Sequence, residues 1–119
     1  MSSASERPRI LVVEDNPAMR GAMCDVLESL GYDAHGVELP SQALAVIRQS
    51  TFQAVVVDQG LAEMTGILLA EQLRGVQSDV GIVVVSGYPR ETLQTDYTVL
   101  EKPFSTRQLT DAIEHVVAR

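Results

Sequence analysis

Four short apolar runs, each stopping at polar residues, constrain this chain more than any other feature. Ile10-Leu11-Val12-Val13 runs into Glu14-Asp15, Ala54-Val55-Val56-Val57 into Asp58, Ile82-Val83-Val84-Val85 into Ser86-Gly87, and Val99-Leu100 into Glu101-Lys102-Pro103. Continuous apolar runs rich in β-branched residues suit the strands of a parallel sheet, which is buried on both faces. Parallel strands need crossovers, and helical periodicity fills the intervals between the runs. Five strands in strict alternation with five helices, the fourth of them short, predict a single doubly wound α/β domain. Its simplest strand order is 2-1-3-4-5.

The elements follow from local signals. The first strand is expected at about 9–13. Pro17 suits the first turn of the next helix, whose stripe is Met19, Met23, Val26, Leu27 and Leu30, with Gly31 at a left-handed cap. A strand near Tyr32–Val37 leads to a helix at about Pro40–Gln49. Thr65-Gly66 opens a third helix to about Gly75, with Ile67, Leu69, Leu73 and Val76 on or near its buried side. Gly81–Val85 is the fourth strand, Pro89 to about Gln94 the short helix, and Tyr97–Leu100 the last strand. Ser105-Thr106-Arg107-Gln108 reads as a capping box before the stripe Leu109, Ala112, Ile113, Val116 and Val117. Residues 1–8 read as a short disordered tail without the apolar core of a signal peptide, and 9–119 as the domain.

Composition removes several functions. The formal net charge of −7 argues against a nucleic-acid surface, which would need a basic patch, and against docking to anionic lipid. No apolar run approaches the roughly 18–20 residues of a membrane span. The lone Cys24 excludes an internal disulfide and fits a reducing compartment, so a cytoplasmic location is expected. Cys24 falls off the stripe of the first helix, and His35 and His115 stand apart from the acids in pattern.

Parallel strands bring Glu14, Asp15 and Asp58 to one sheet edge, together with the Ser86 hydroxyl and the Lys102 ammonium. Crowded carboxylates repel unless a cation neutralises them. Mg²⁺ fits, since it prefers hard oxygens and is commonly held by one or two carboxylates plus a phosphate. Asp58 is then placed to attack phosphorus, with Ser86 and Lys102 available to the phosphoryl oxygens. Read singly, each residue has a structural explanation: Asp15 or Asn16 caps a helix, Asp58 and Ser86 sit in turns, and Lys102 is a solvated charge. Their joint arrival at strand ends is what favours a site.

Glu14-Asp15, Asp58 with Met64 and Gly66, Ser86-Gly87 and Lys102-Pro103-Phe104 resemble the receiver domain of two-component response regulators, over about Arg9 to Arg119. The resemblance implies a flavodoxin-like fold. It implies phosphoryl transfer to Asp58 from a sensor histidine kinase or a histidine phosphotransfer protein. It further implies that Glu14, Asp15, Asp58 and the Gly60 carbonyl hold Mg²⁺, and that Ser86 and Lys102 relay the phosphoryl group to a signalling face. Such a domain catalyses only its own phosphorylation and dephosphorylation. The resemblance also implies that a histidine-bearing helical bundle docks on the first helix, where Ala18, Gly21, Ala22 and Asp25 recur at helical spacing.

Three departures stand out. Ala62 replaces the usual proline, Val99 replaces the usual aromatic switch residue, and the interval from Ser86 to Lys102 is shortened at the fourth helix. Ser86-Gly87-Tyr88 and Leu100-Glu101-Lys102-Pro103-Phe104-Ser105 resemble receivers associated with hybrid histidine kinases. The expected switch therefore runs through Ser86–Arg90 and the Lys102–Ser105 turn, with little change at Val99. Tyr88 is expected to shield the acyl phosphate, and Gly60 offers no side chain to orient attacking water.

Rival readings remain at this point. A haloacid-dehalogenase-type phosphatase usually needs a second Asp two residues after the nucleophile, where this chain has Gly60. A nucleotide or flavin module would need a glycine-rich loop where Glu14-Asp15 stands. A degenerate receiver acting only as a docking module would not need the three acids.

Overall fold

In the computed structural model, residues 7–117 are described. They form β1 (Arg9–Val13), α1 (Pro17–Ser29), β2 (Asp33–Val37), α2 (Pro40–Gln49), β3 (Ala54–Asp58), α3 (Gly66–Val76), β4 (Gly81–Ser86), α4 (Arg90–Leu93), β5 (Thr98–Glu101) and α5 (Thr106–Val117). The sheet order is β2-β1-β3-β4-β5 and every pairing is parallel. The expected doubly wound architecture is borne out.

Side-chain alternation divides the core in two. Leu11, Val13, Val55, Val57, Ile82 and Val84 face Ala43 and Ile47 of α2, Leu69 and Leu73 of α3, and Phe52. Ile10, Val12, Ala54, Val56, Val83 and Val85 face Met23 and Leu27 of α1 and Leu109 and Ile113 of α5. Each fully buried aliphatic side chain contributes about 1.5–3 kcal/mol, so the strands hold both helical layers. The whole of β3 is buried, which fixes the height at which Asp58 emerges.

Helix ends follow the local chemistry. Asn16 accepts from the Met19 N–H at 2.9 Å and Thr65 from the Leu68 N–H at 3.2 Å. The Ser105–Gln108 capping box forms with both bonds, at 2.8 and 3.0 Å. Gly31 has φ +96, the left-handed value a side chain resists.

Several boundaries and faces differ from expectation. Leu30 and Val76 are 42% and 43% exposed, because Leu30 is the capping residue after α1 and Val76 the last residue of α3. Ala70 takes the buried place on α3 instead. Cys24 is half-buried against the α1–α5 core. β2 starts at Asp33 and β5 spans Thr98–Glu101, one residue later than expected at the ends that moved. Arg7 and Pro8, assigned to the tail by sequence, are tied to the domain. Arg7 donates to the carbonyls of Gly31 and Tyr32 at 3.1 and 2.6 Å, and the Asp33 N–H donates to the Pro8 carbonyl at 2.9 Å. The rest of that tail, 1–6, lies outside the described residues.

Candidate functional site

β1, β3, β4 and β5 each deliver a candidate residue at or just past the carboxyl end, where doubly wound sheets place ligands. Asp58 closes β3 opposite Val85, and Ser86 closes β4 opposite Glu101. The ladder extends into the loops. The Gln59 N–H donates to the Val85 carbonyl at 2.8 Å, the Lys102 N–H to the Ser86 carbonyl at 2.7 Å, and the Glu14 N–H to the Val37 carbonyl at 3.1 Å. The residues that leave the sheet thus start from fixed positions.

The structure brings the expected residues together. Oxygens of Glu14, Asp15 and Asp58 all lie within 4.8 Å of one another. Lys102 Nζ stands 2.9 Å from Asp58 Oδ1. Glu14 is 3% exposed, Asp58 6% and Ser86 1%, and they are the buried polar side chains of the described residues. An open cavity of about 450 Å³ adjoins Asp58 and is lined by Gly60, Thr65, Ser86, Tyr88, Leu93 and Lys102, among others. Gly60 sits beside the carboxylate: a Cβ there would lie 3.7 Å from Asp58 Oδ2.

The electrostatics are unbalanced toward the acids. Glu14 Oε2 accepts from the Asn16 N–H at 3.0 Å, whereas the buried Oε1 has no partner. Burial pushes the Glu14 carboxyl up from its ordinary value; the Asn16 bond opposes this, and the nearby Asp58 charge adds to it. For Lys102, burial works against the charged form. Its hydrogen bond to Asp58 and the charges of Asp58, Glu14 and Asp15 outweigh that, so its proton is held more tightly than usual.

Ser86 is placed at the site but turned onto its own loop. Its Oγ accepts from the Tyr88 N–H at 2.9 Å and donates to the Tyr88 carbonyl at 3.2 Å. Tyr88 stands at the cavity rim and is exposed. Lys102-Pro103 is a cis peptide bond.

Three supporting residues escaped the sequence reading. Gln59 accepts from the Gly66 N–H through its carbonyl and from the Ile67 N–H through its side chain, pinning α3 under Asp58. Glu63 reaches from the β3–α3 loop to the first turn of α2, accepting from the Ser41 N–H at 3.0 Å and its hydroxyl at 3.3 Å. Arg20 Nη1 donates to the Glu14 carbonyl at 2.8 Å. None carries a spacing signal: Glu63 reaches across 22 residues, and Gln59 and Arg20, though only six to eight residues from their partners, bond backbone groups at no fixed helical or strand spacing. His35 and His115 are exposed and lie outside the site.

Comparison with known proteins agrees with this geometry. A family model described as the response regulator receiver domain matches residues 10–114. The response regulator receiver protein CpdR of Brucella abortus (strain 2308) is 30% identical over 115 residues, covering 92% of this chain and 96% of that protein. The sensor kinase CckA of the same organism is 29% identical over 118 residues, covering 92% of this chain but 12% of the kinase. Among solved structures, a sensor protein from Polaromonas sp. JS666 is 31% identical with a TM-score of 0.84, covering 94% of this chain and 97% of that one. The similarity thus extends both to a small receiver protein and to a segment of a large kinase. Its fold, its strand-end acids and a match along most of its length make this chain a member of the response regulator receiver domain family.

Proposed function

We propose that Asp58 accepts a phosphoryl group from a phosphohistidine of a sensor histidine kinase or histidine phosphotransfer protein, in a Mg²⁺-dependent reaction in the cytoplasm. The observation that carries this reading is the convergence of Glu14, Asp15 and Asp58 with Lys102 at one sheet edge.

The donor set fits a hard cation. Glu14 Oε1 is buried without a partner beside two further carboxylates, a costly arrangement that positive charge relieves. Glu14, Asp15, Asp58 and the Gly60 carbonyl are the residues to hold Mg²⁺. When bound, Mg²⁺ supplies charge that offsets both the acids and the incoming phosphoryl oxygens. Asp58 contributes the attacking carboxylate oxygen. A new O–P bond forms on it as the P–N bond to the donor imidazole breaks and its electron pair returns to the ring. Lys102, held charged by its acidic neighbours, can follow the negative charge from the carboxylate to a phosphoryl oxygen. Ser86 must exchange its bonds to Tyr88 for one to the phosphoryl group, a charge-assisted hydrogen bond worth about 1.5–3 kcal/mol against the neutral bonds given up. That exchange links the modified state to the Ser86–Arg90 loop and, through the Lys102 N–H on the Ser86 carbonyl, to the Lys102–Ser105 turn. The only catalysis proposed is of the domain's own phosphorylation and dephosphorylation.

The test is to incubate the protein with Mg²⁺ and a small acyl phosphate and locate the label by mass spectrometry. One phosphoryl group on Asp58 is expected, lost in Asp58→Asn and when Mg²⁺ is chelated. Label that persists on Asp58→Asn would move the acceptor elsewhere.

A further inference from the structure

Arg20 projects from α1 toward the acid cluster. Glu14 is held at three backbone and side-chain points. Its N–H donates to the Val37 carbonyl at 3.1 Å, its Oε2 takes the Asn16 N–H at 3.0 Å, and its carbonyl takes Arg20 Nη1 at 2.8 Å. The last of these sets the plane of the peptide that joins Glu14 to Asp15. Turning that plane swings both carboxylates, because each hangs from an atom adjoining it. Asp15 is exposed and Glu14 is the last buried residue of its run, so the bond from Arg20 falls where β1 ceases to constrain the chain.

The path of the Arg20 side chain is also specified. It packs against the edge strand β2 at Gly36. A Cβ there would lie 3.0 Å from Arg20 Cγ, 3.2 Å from Arg20 Cδ and 3.1 Å from Cys24 Sγ. Glycine weakens a strand interior and often marks a close approach by another group. Here the approaching group is the stem that carries the guanidinium to the Glu14 carbonyl.

We propose that Arg20 is a positioning residue for the Mg²⁺ site, and that Gly36 is small so that the Arg20 stem can lie against it on the way to Glu14. The inference rests on the reading of Glu14 and Asp15 as Mg²⁺ ligands. Titration calorimetry with MgCl₂, together with thermal unfolding in chelator, separates positioning from packing. Arg20→Met keeps an apolar stem over Gly36 and removes the donor. Mg²⁺ affinity is expected to fall about three- to tenfold, at or below the low end of what losing an outer partner of a metal ligand costs. Arg20→Lys restores part of the loss, because it retains a cationic donor. Gly36→Ala, which changes no side chain of the acid cluster, weakens Mg²⁺ in the same direction, and adds nothing in the Arg20→Met background if the two act as one unit. Wild-type affinity in Arg20→Met, with only a lower melting temperature, overturns the positioning role. A full Gly36→Ala effect in the Arg20→Met background overturns the link between the two. If Arg20→Met does not fold, Arg20→Lys and Gly36→Ala decide the question by the same titration. A wild-type protein that takes no Mg²⁺ at millimolar concentration removes the reading of the site itself, and this inference with it.

Discussion

The segment around Asp58 and the segment around α4 face each other across one cavity, yet they are built by opposite means. β3 is buried along its whole length, and α3 docks so closely that a Cβ on Gly66 would stand 2.5 Å from the Asp58 carbonyl oxygen. α4 is a four-residue helix with no buried residue, ending at Gln94 with φ 51. Its local tethers are surface bonds, such as the Arg90 N–H on Glu101 at 2.8 Å. A group that must accept a phosphoryl unit in fixed geometry belongs on the tight side. A loop that must rearrange at modest cost belongs on the loose one, since responsive segments come from the low-stability end of a fold.

The largest effect expected from this contrast is at Gly66. Gly66→Ala should lose about 3 kcal/mol in denaturant unfolding, because backbone atoms of Asp58 and Gln59 crowd the new methyl and cannot rotate away. A loss below about 1 kcal/mol would show that α3 can slide, and the acceptor side would not be rigid.

Next in size is Glu14. Its carboxyl is raised in the fold, so the favourable contribution of its protonated form is present below the ordinary value of 4.5 and is lost as pH rises through the folded value. At neutral pH without Mg²⁺ the ionised group is therefore a burden. Glu14→Gln should be more stable than wild type in chelator at pH 7, with the gap closing on acidification. Calorimetric melting across pH checks this, and a gap that widens on acidification would contradict the assigned cause.

Glu63→Ala should cost about 0.5–1 kcal/mol. It removes two bonds to the exposed first turn of α2, which has no side-chain cap from its own N-cap residue. Hydrogen exchange should quicken at the Ser41 amide and spare α3; equal quickening in both would place Glu63 in the rigid unit.

The smallest energetic effect is expected at Gly87, where nothing lies within 4 Å of an added Cβ. Gly87→Ala should change stability by less than about 0.5 kcal/mol. The same loop should nevertheless respond most to a beryllofluoride mimic of the phosphoryl group. Amide shifts are expected to be large over Ser86–Arg90 and Lys102–Ser105, and small at Val99, which lies half-buried against the α2–α3 core with Leu93 and Tyr97. Large shifts at Val99 beside a silent Gly87–Pro89 segment would reverse the roles of the two regions.

The strands and the site were legible for one reason. A buried parallel strand must be apolar until it leaves the sheet, so the first polar residue after each run marks the functional edge, as at Glu14, Asp58 and Ser86. Helix ends were legible where capping is local, as at Asn16, Thr65, Gly31 and Ser105. Leu30 and Val76 were misplaced because helical periodicity continues to the capping residue after α1 and the last residue of α3.

By itself, then, the sequence determined the order of elements, the parallel sheet and the identity of the groups at its carboxyl edge. Those follow from hydrophobic period and chain connectivity, which need no knowledge of neighbours. Tertiary structure alone decided how Glu14 is held by Arg20, how Glu63 caps α2, and that Ser86 is turned toward Tyr88. It also decided that Glu14 Oε1 is buried without a partner. Glu63 meets Ser41 across 22 residues, while the Arg20 and Ser86 bonds, though close in sequence, depend on side-chain directions that only the packed fold sets, and no hydrophobic period encodes either.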